Sequence, residues 1–185
     1  IEEALRRGDP ATLDVAIARH LLLYRVVLSL GGVPILYAGD ELAVENDYGY
    51  QDDPAIRDDN RWMHRPWITN EMRRMRRCER SVSKRVFDEV RRLLQIRCAH
   101  PVLSDNSNPE IVTCTNPHLS VYLRIRIGGG RVLVVANWSS HVQTIPTACL
   151  ASVGYARDGY DLISERVVDF RSSVLEIEPY GCYWL

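Results

Sequence analysis

The hydrophobic repeat changes at His100-Pro101, from a spacing of three to four residues before it to a spacing of two after it, so the chain divides into two parts of different architecture. Upstream, Leu13, Ile17, His20, Leu21, Tyr24 and Leu28 recur as the buried face of a helix requires. Asp9 can accept from the free amides of the first turn, Pro10 presets φ at the first helical position, and Gly31 with Gly32 permits a left-handed stop. One long helix is therefore predicted between Asp9 and Leu30. The run Val33-Pro34-Ile35-Leu36-Tyr37-Ala38 that follows reads as a short strand buried on both faces, with Pro34 near its start, where no ladder donor is needed. Gly39-Asp40-Glu41 ends it. Helix, glycine turn, buried strand and polar break is the order of an α/β unit, in which ligands bind at the carboxyl ends of strands. Val86, Phe87, Val90, Leu93, Leu94, Arg97 and Cys98 predict a second helix after Ser81 and Ser83, ended by His100-Pro101.

Downstream, Leu119, Val121, Leu123, Ile125 and Ile127 alternate with Ser120, Tyr122, Arg124 and Arg126. Gly128-Gly129-Gly130 turns the chain, and Arg131 to Trp138 returns as a partner strand, which predicts a hairpin. Strand-like stretches at 142–145, 160–163, 166–170, 174–177 and 182–185 are separated by turn residues, as in a small antiparallel β-sandwich. The expected fold class is thus α/β plus all-β, with an α/β part over residues 1–99 and a sandwich over residues 100–185.

With 185 residues the chain is too short for a complete eight-stranded β/α barrel, which takes roughly 250. It opens at Ile1 without a methionine, directly into a charged segment, and so reads as a fragment whose signal peptide, if there is one, lies out of view. A composition of 46% hydrophobic and 25% charged residues excludes disorder and fibrous repeats. The net charge of −1 supplies no global field toward nucleic acid or an anionic membrane. No apolar stretch is long enough to span a bilayer. Of 23 basic residues only Lys84 is a lysine, and because the arginine excess runs through every segment it reads as residue usage rather than as one binding patch. The five cysteines are scattered with no CxxC, which argues against a zinc site or a disulfide framework and for reduced, partly buried thiols. The histidines show no metal-ligand spacing and no phosphate-binding loop occurs, so neither a metal nor a cofactor is expected.

Three groups of residues could carry chemistry. Asp40-Glu41, at the end of the predicted strand, could serve as acid, base or substrate anchor, or could simply cap the next segment. Asp58-Asp59-Asn60-Arg61-Trp62-Met63-His64-Arg65-Pro66 mixes carboxylate, amide and guanidinium groups with an aromatic ring, the combination that binds adjacent sugar hydroxyls and the C–H side of a sugar ring. A well-paired surface loop has the same composition. Arg73, Arg74, Arg76, Arg77 and Arg80 form a basic run, but Glu71 and Glu79 flank it and the preceding loop is acidic, so a solvated face is favoured over a nucleic-acid surface.

In order, Gly31-Gly32-Val33-Pro34-Ile35-Leu36-Tyr37-Ala38-Gly39-Asp40-Glu41 resembles the eighth-strand "GxPxxYxGDE" signature of the α-amylase superfamily of glycoside hydrolases. Asn46-Asp47-Tyr48, followed by the segment from Asp58 to Pro66, is similar to the "DDxRWxHRP" loop of the superfamily's amylosucrase branch. The stretch Leu175-Glu176-Ile177-Glu178-Pro179-Tyr180, with Trp184, resembles the end of the superfamily's C-terminal sandwich. The resemblance implies the C-terminal part of a TIM (β/α)8 barrel over residues 1–99, followed by the sandwich. It implies a retaining enzyme that moves a glucosyl unit from sucrose to an α-1,4-glucan or to water and releases fructose, through two carboxyl groups roughly 5 Å apart. The family's catalytic residues follow barrel strands four, five and seven, so they are expected upstream of residue 1, and the piece alone is expected to be inactive.

What the resemblance carries onto this chain is one wall of the glucose pocket. Arg61 matches an arginine that pairs with an early-barrel aspartate at the pocket floor. Asp58, Asp59 and His64 are expected to orient it or line the entrance, Asp47 and Tyr48 to border the pocket, and Asp40 and Glu41 to support these from behind. Sucrose and α-glucan are the expected ligands, with no nucleic-acid or membrane partner, and a bacterial cytoplasmic location is expected. Two rival readings are a trehalose synthase or α-glucosidase of the same superfamily, and a non-catalytic, truncated glucan-binding chain. Residues 1–99 are expected to be poorly stable in isolation, because one parallel strand lacks neighbours, whereas residues 100–185 are expected to be able to fold alone.

Overall fold

The computed structural model describes all 185 residues. Its helices are α1 (Glu2–Arg7), α2 (Pro10–Ser29), α3 (Asn70–Met75), α4 (Val82–Ala99), α5 (Pro101–Ser104) and α6 (Thr147–Ser152). Its strands are β1 (Glu110–Ile111), β2 (Leu119–Ile125), β3 (Arg131–Asn137), β4 (Gln143–Pro146), β5 (Asp158–Asp161), β6 (Arg166–Asp169), β7 (Val174–Ile177) and β8 (Cys182–Trp184). They divide into two compact units, Ile1–Ile17 with Ile35–Val90 and Ala18–Pro34 with Arg91–Leu185. This division differs from the expected boundary at residue 99, because the later turns of α2 and α4 pack with the strands. No helix is long and apolar enough to cross a membrane.

In the first unit, the Asp9 carboxylate accepts from the amides of Ala11 and Thr12 at 3.2 Å each and so starts α2 where the sequence predicts it. The spacing-predicted second helix is α4, begun by Ser81, whose hydroxyl accepts from the Lys84 amide at 3.0 Å. Val86 and Val90 lie on its buried face. Between Gly39 and Thr69 the unit has neither α-helix nor strand, only 3-10 turns at Asp40–Leu42, Tyr48–Asp52 and Asn60–His64.

The predicted buried strand is not one. Residues 33–37 have no ladder partner, and Val33, Ile35 and Tyr37 are 89%, 88% and 50% exposed. A parallel strand is held and covered by strands on both sides, and this chain supplies neither. What remains is an apolar segment outside any helix or strand.

The second unit contains three antiparallel sheets, ordered β1-β2-β3-β8, β4-β7 and β5-β6. The predicted hairpin is β2–β3, in a register that pairs Val121 with Val135 and Leu123 with Leu133. Gly128, Gly129 and Gly130 all have positive φ in its turn, a conformation that strongly favours glycine. Side-chain alternation sorts two clusters. Val121, Leu123, Leu133 and Val135 pack with Ile145, Leu150, Phe170, Leu175 and Ile177. On the other face Tyr122, Val132, Val134, Ala136 and Trp184 pack with Leu22 and Leu28 of α2, Leu93 of α4 and Leu103 of α5. The four-stranded sheet is therefore covered by helices on one side and by the β4–β7 ladder on the other. Residues 100–185 by themselves do not include the α2 and α4 part of that cover.

Two buried arginines join these layers. Arg124, fully buried on β2, donates to the carbonyls of Asp105, at 2.7 Å, and Ser107. Arg97 of α4 donates to the carbonyls of Leu28 and Leu30 at 2.6 and 2.5 Å and to that of Gly32 at 2.5 Å, and so clamps the end of α2 and the turn after it. Burial, then the charge of Arg124, holds the pKa of Arg97 below its ordinary value. Gly31 fits only without a side chain, since a Cβ there would lie 2.4 Å from the Asp105 carbonyl oxygen. All five cysteines are free; Cys78 and Cys98 are exposed rather than partly buried, and burial pushes the Cys182 thiol up to about 12.

Candidate functional site

The loop after residues 33–37 is ordered by short-range capping. Glu41 accepts from the Gly39 amide at 2.9 Å, Asp47 from the Gly49 amide at 2.9 Å, and Asp59 from the Arg61 amide at 3.0 Å. Each carboxylate closes a turn two residues away, the local bond that aspartate and glutamate side chains offer to free amides. Two contacts bring distant parts of the loop together. The Asp47 amide donates to the Met63 carbonyl at 2.8 Å, and His64 Nδ1 shares a 2.9 Å hydrogen bond with Asn46 Oδ1.

Arg61 and Asp59 form a forked pair: Nε reaches both carboxylate oxygens at 2.8 and 3.0 Å, and a terminal nitrogen reaches Oδ2 at 2.7 Å. The Arg61 hydrogen bonds hold the Asp59 carboxyl at about 2, well below its ordinary 3.8. Within this chain the partner of Arg61 is this neighbour, and the guanidinium is exposed. Asp58 extends into solvent with 95% of its side chain exposed, touching only Arg57 at 4.0 Å. Tyr48 is half-exposed, its hydroxyl 3.4 Å from Asn46 Nδ2. Asp40 lies exposed on the turn that Glu41 caps.

Of the predicted residues, the structure thus brings together Asp47, Tyr48 and His64 through Asn46, and Asp59 with Arg61, and it leaves Asp58 apart. Asn46 was missed as a site residue although it occurs in the same motif; its role shows only across the 18-residue separation from His64. Asp59 is driven toward the ionised form, which suits an anchor rather than a general acid. The arrangement can bind and orient hydroxyl groups.

No family model matches the chain. The chain is 27% identical over 184 residues to glucosylglycerate phosphorylase of Escherichia coli (strain K12), a match that spans 99% of this chain and 30% of that protein. Among solved structures it superposes on AmyP in complex with maltose with a TM-score of 0.67 at 16% identity, covering 91% of this chain and 34% of the other. Isomaltulose synthase (PalI) from Klebsiella sp. LX3 gives 0.58 at 19% identity, with 90% and 38% covered. Trehalulose synthase from Pseudomonas mesoacidophila MX-45 gives 0.58 at 20%, with 90% and 38% covered. At these identities the superpositions speak to fold. The chain spans about a third of the length of each of these four proteins. These relatives do not select the amylosucrase branch of the α-amylase superfamily.

Proposed function

We propose that this chain is part of a retaining, amylosucrase-like enzyme of that superfamily, which takes a glucosyl unit from sucrose, passes it to an α-1,4-glucan or to water, and releases fructose. In this reading residues 1–99 are the end of a catalytic β/α barrel with its active-site loop, and residues 100–185 are the β-sandwich that follows it. The observation that carries the reading is the exposed Val33, Ile35 and Tyr37 segment joined directly to the capped loop that bears Arg61. An unpaired apolar run with every second side chain in water is what a barrel strand looks like without its neighbours, and the loop that follows such a strand is where a barrel binds its substrate.

Arg61 then serves as the principal sugar-binding residue, with Asp59 holding its planar fork in one orientation. Tyr48, Asp47, His64 and Asp58 border the pocket, and the Glu41 cap shapes the turn that leads into it, beside Asp40. The paired carboxyl groups of the retaining reaction, roughly 5 Å apart and one of them protonated, are assigned to other parts of the enzyme. A second reading, with phosphate as the glucosyl acceptor, is favoured by the similarity to glucosylglycerate phosphorylase over 99% of the chain.

The test is to incubate the longest natural chain that contains this segment with sucrose, with and without phosphate, and to follow fructose release, with the 185-residue chain as control. Fructose from the longer chain alone supports the proposal, and a requirement for phosphate selects the second reading. No fructose from either chain rejects a sucrose enzyme and favours the trehalose-synthase, α-glucosidase or non-catalytic reading. Fructose from the 185-residue chain alone refutes the assignment of catalysis to other segments.

A further inference from the structure

Two shallow concavities, each of about 360 Å3, meet where the loop enters α3. One is lined by Trp62, Arg65, Pro66, Trp67, Ile68 and Arg73. The other is lined by Asn70, Arg73, Arg74, Arg76 and Arg77, so Arg73 belongs to both. None of the four arginines of the second concavity has a carboxylate partner, although acidic residues are close in sequence. Glu79 and Asp88 are both turned to Lys84, at 3.8 and 2.8 Å. Arg76 is held over the Phe87 ring at 4.9 Å. Clustered like charges repel unless an anion lies between them, and a guanidinium fork without a carboxylate matches the oxygens of a phosphate group. In the first concavity, Arg65 lies over the Trp62 ring at 5.9 Å, whereas Trp67 is 83% exposed and stacks on nothing. An open indole offers the flat apolar surface that the C–H side of a sugar ring covers.

We propose that the two concavities together bind a phosphorylated hexose, with the phosphate on Arg73, Arg74 and Arg77 and the sugar ring against Trp67. This site is independent of which acceptor the glucosyl unit takes. A nucleic acid is the poorer fit, since Asp52, Asp53, Asp58 and Asp59 in the preceding loop would repel a continued phosphate backbone.

The experiment is a tryptophan-fluorescence titration of the 185-residue chain with glucose 6-phosphate, glucose and inorganic phosphate at constant ionic strength. Glucose 6-phosphate is expected to bind saturably and about tenfold or more tighter than either glucose or phosphate, because it alone makes both contacts. The double substitution R74Q/R77Q is expected to weaken it by about tenfold or more, the loss of two charge-assisted contacts. Trp67→Ala is expected to reduce it to the level of inorganic phosphate, read by calorimetry because the substitution removes a reporter. Trp67 belongs to neither buried cluster, so that variant tests the site without threatening the fold. Equal affinity for glucose 6-phosphate and phosphate, unchanged binding in R74Q/R77Q, or tighter binding of a short single-stranded oligonucleotide would overturn the proposal.

Discussion

Arg97 is predicted to be the side chain whose loss most damages the second unit. Its guanidinium makes three hydrogen bonds to the carbonyls of Leu28, Leu30 and Gly32 and is 4% exposed. Hydrogen bonds from a charged donor contribute roughly 1.5–3 kcal/mol each, so three set an upper limit of roughly 5–9 kcal/mol. Two terms reduce it: desolvation already opposes the charge, as the lowered pKa of Arg97 records, and carbonyls at a helix end can turn partly toward water. Arg97→Met is therefore expected to destabilise by about 3–5 kcal/mol, in the range for breaking a buried charged network. For a domain of this size that corresponds to a fall in Tm of about 10 °C. Urea unfolding followed by far-ultraviolet circular dichroism measures it. Arg97→Lys keeps the charge but cannot reach three carbonyls, so it should recover less than half of the loss. Arg85→Met is the control, because the Arg85–Asp14 pair at 2.7 Å is solvent-exposed and should contribute less than about 1 kcal/mol. An R97M variant as stable as R85M, or full recovery in R97K, would refute the clamp.

Gly31→Ala should destabilise by about 1–3 kcal/mol in the same assay, because its Cβ would meet the Asp105 carbonyl at 2.4 Å and an Arg124 terminal nitrogen at 2.8 Å. The Asp59 carboxyl, at about 2 in the folded chain against 3.8 ordinarily, is lowered by Arg61. Its contribution to the turn is thus fully present above the unfolded value and disappears as pH falls from about 4 to about 2. A carboxyl NMR titration should place Asp59 near the lower figure and Arg61→Gln should return it toward the upper one; an unshifted Asp59 in the parent chain contradicts the fork. Residues 100–185 alone should bind a hydrophobic dye and lose the cooperative melt of the full chain, because Tyr122, Val134 and Trp184 lose α2 and α4. A cooperative melt of that piece at the parent temperature would show the helical cover to be dispensable.

What the sequence could reveal follows from how far apart the determining residues lie. The long helices were legible because spacing and caps such as Asp9 are local, and the β2–β3 hairpin because its turn and alternation sit within about twenty residues. The alternation also implied a polar face at Tyr122 and Arg124, yet both are buried, because α2, α4 and the segment after α5 cover that side from a distance. Arg97 stood on the apolar stripe of its helix in the sequence, but nothing local revealed that three carbonyls of another helix end awaited it.

The site loop divides along the same line. Its turns are written in aspartates placed two residues before an amide, and of the neighbours Asp58 and Asp59 only the one at the cap position holds Arg61, while Asp58, in the turn before it, extends into solvent. The apolar character of Val33–Tyr37 is local in the same way, whereas burial of such a run depends on neighbouring strands. Neighbours added on either side would cover Val33, Ile35 and Tyr37 without disturbing the caps at Glu41, Asp47 and Asp59. In the sugar-binding role proposed for Arg61, Asp59 occupies the Nε edge of the guanidinium, and the edge formed by its two terminal nitrogens is left for a second carboxylate.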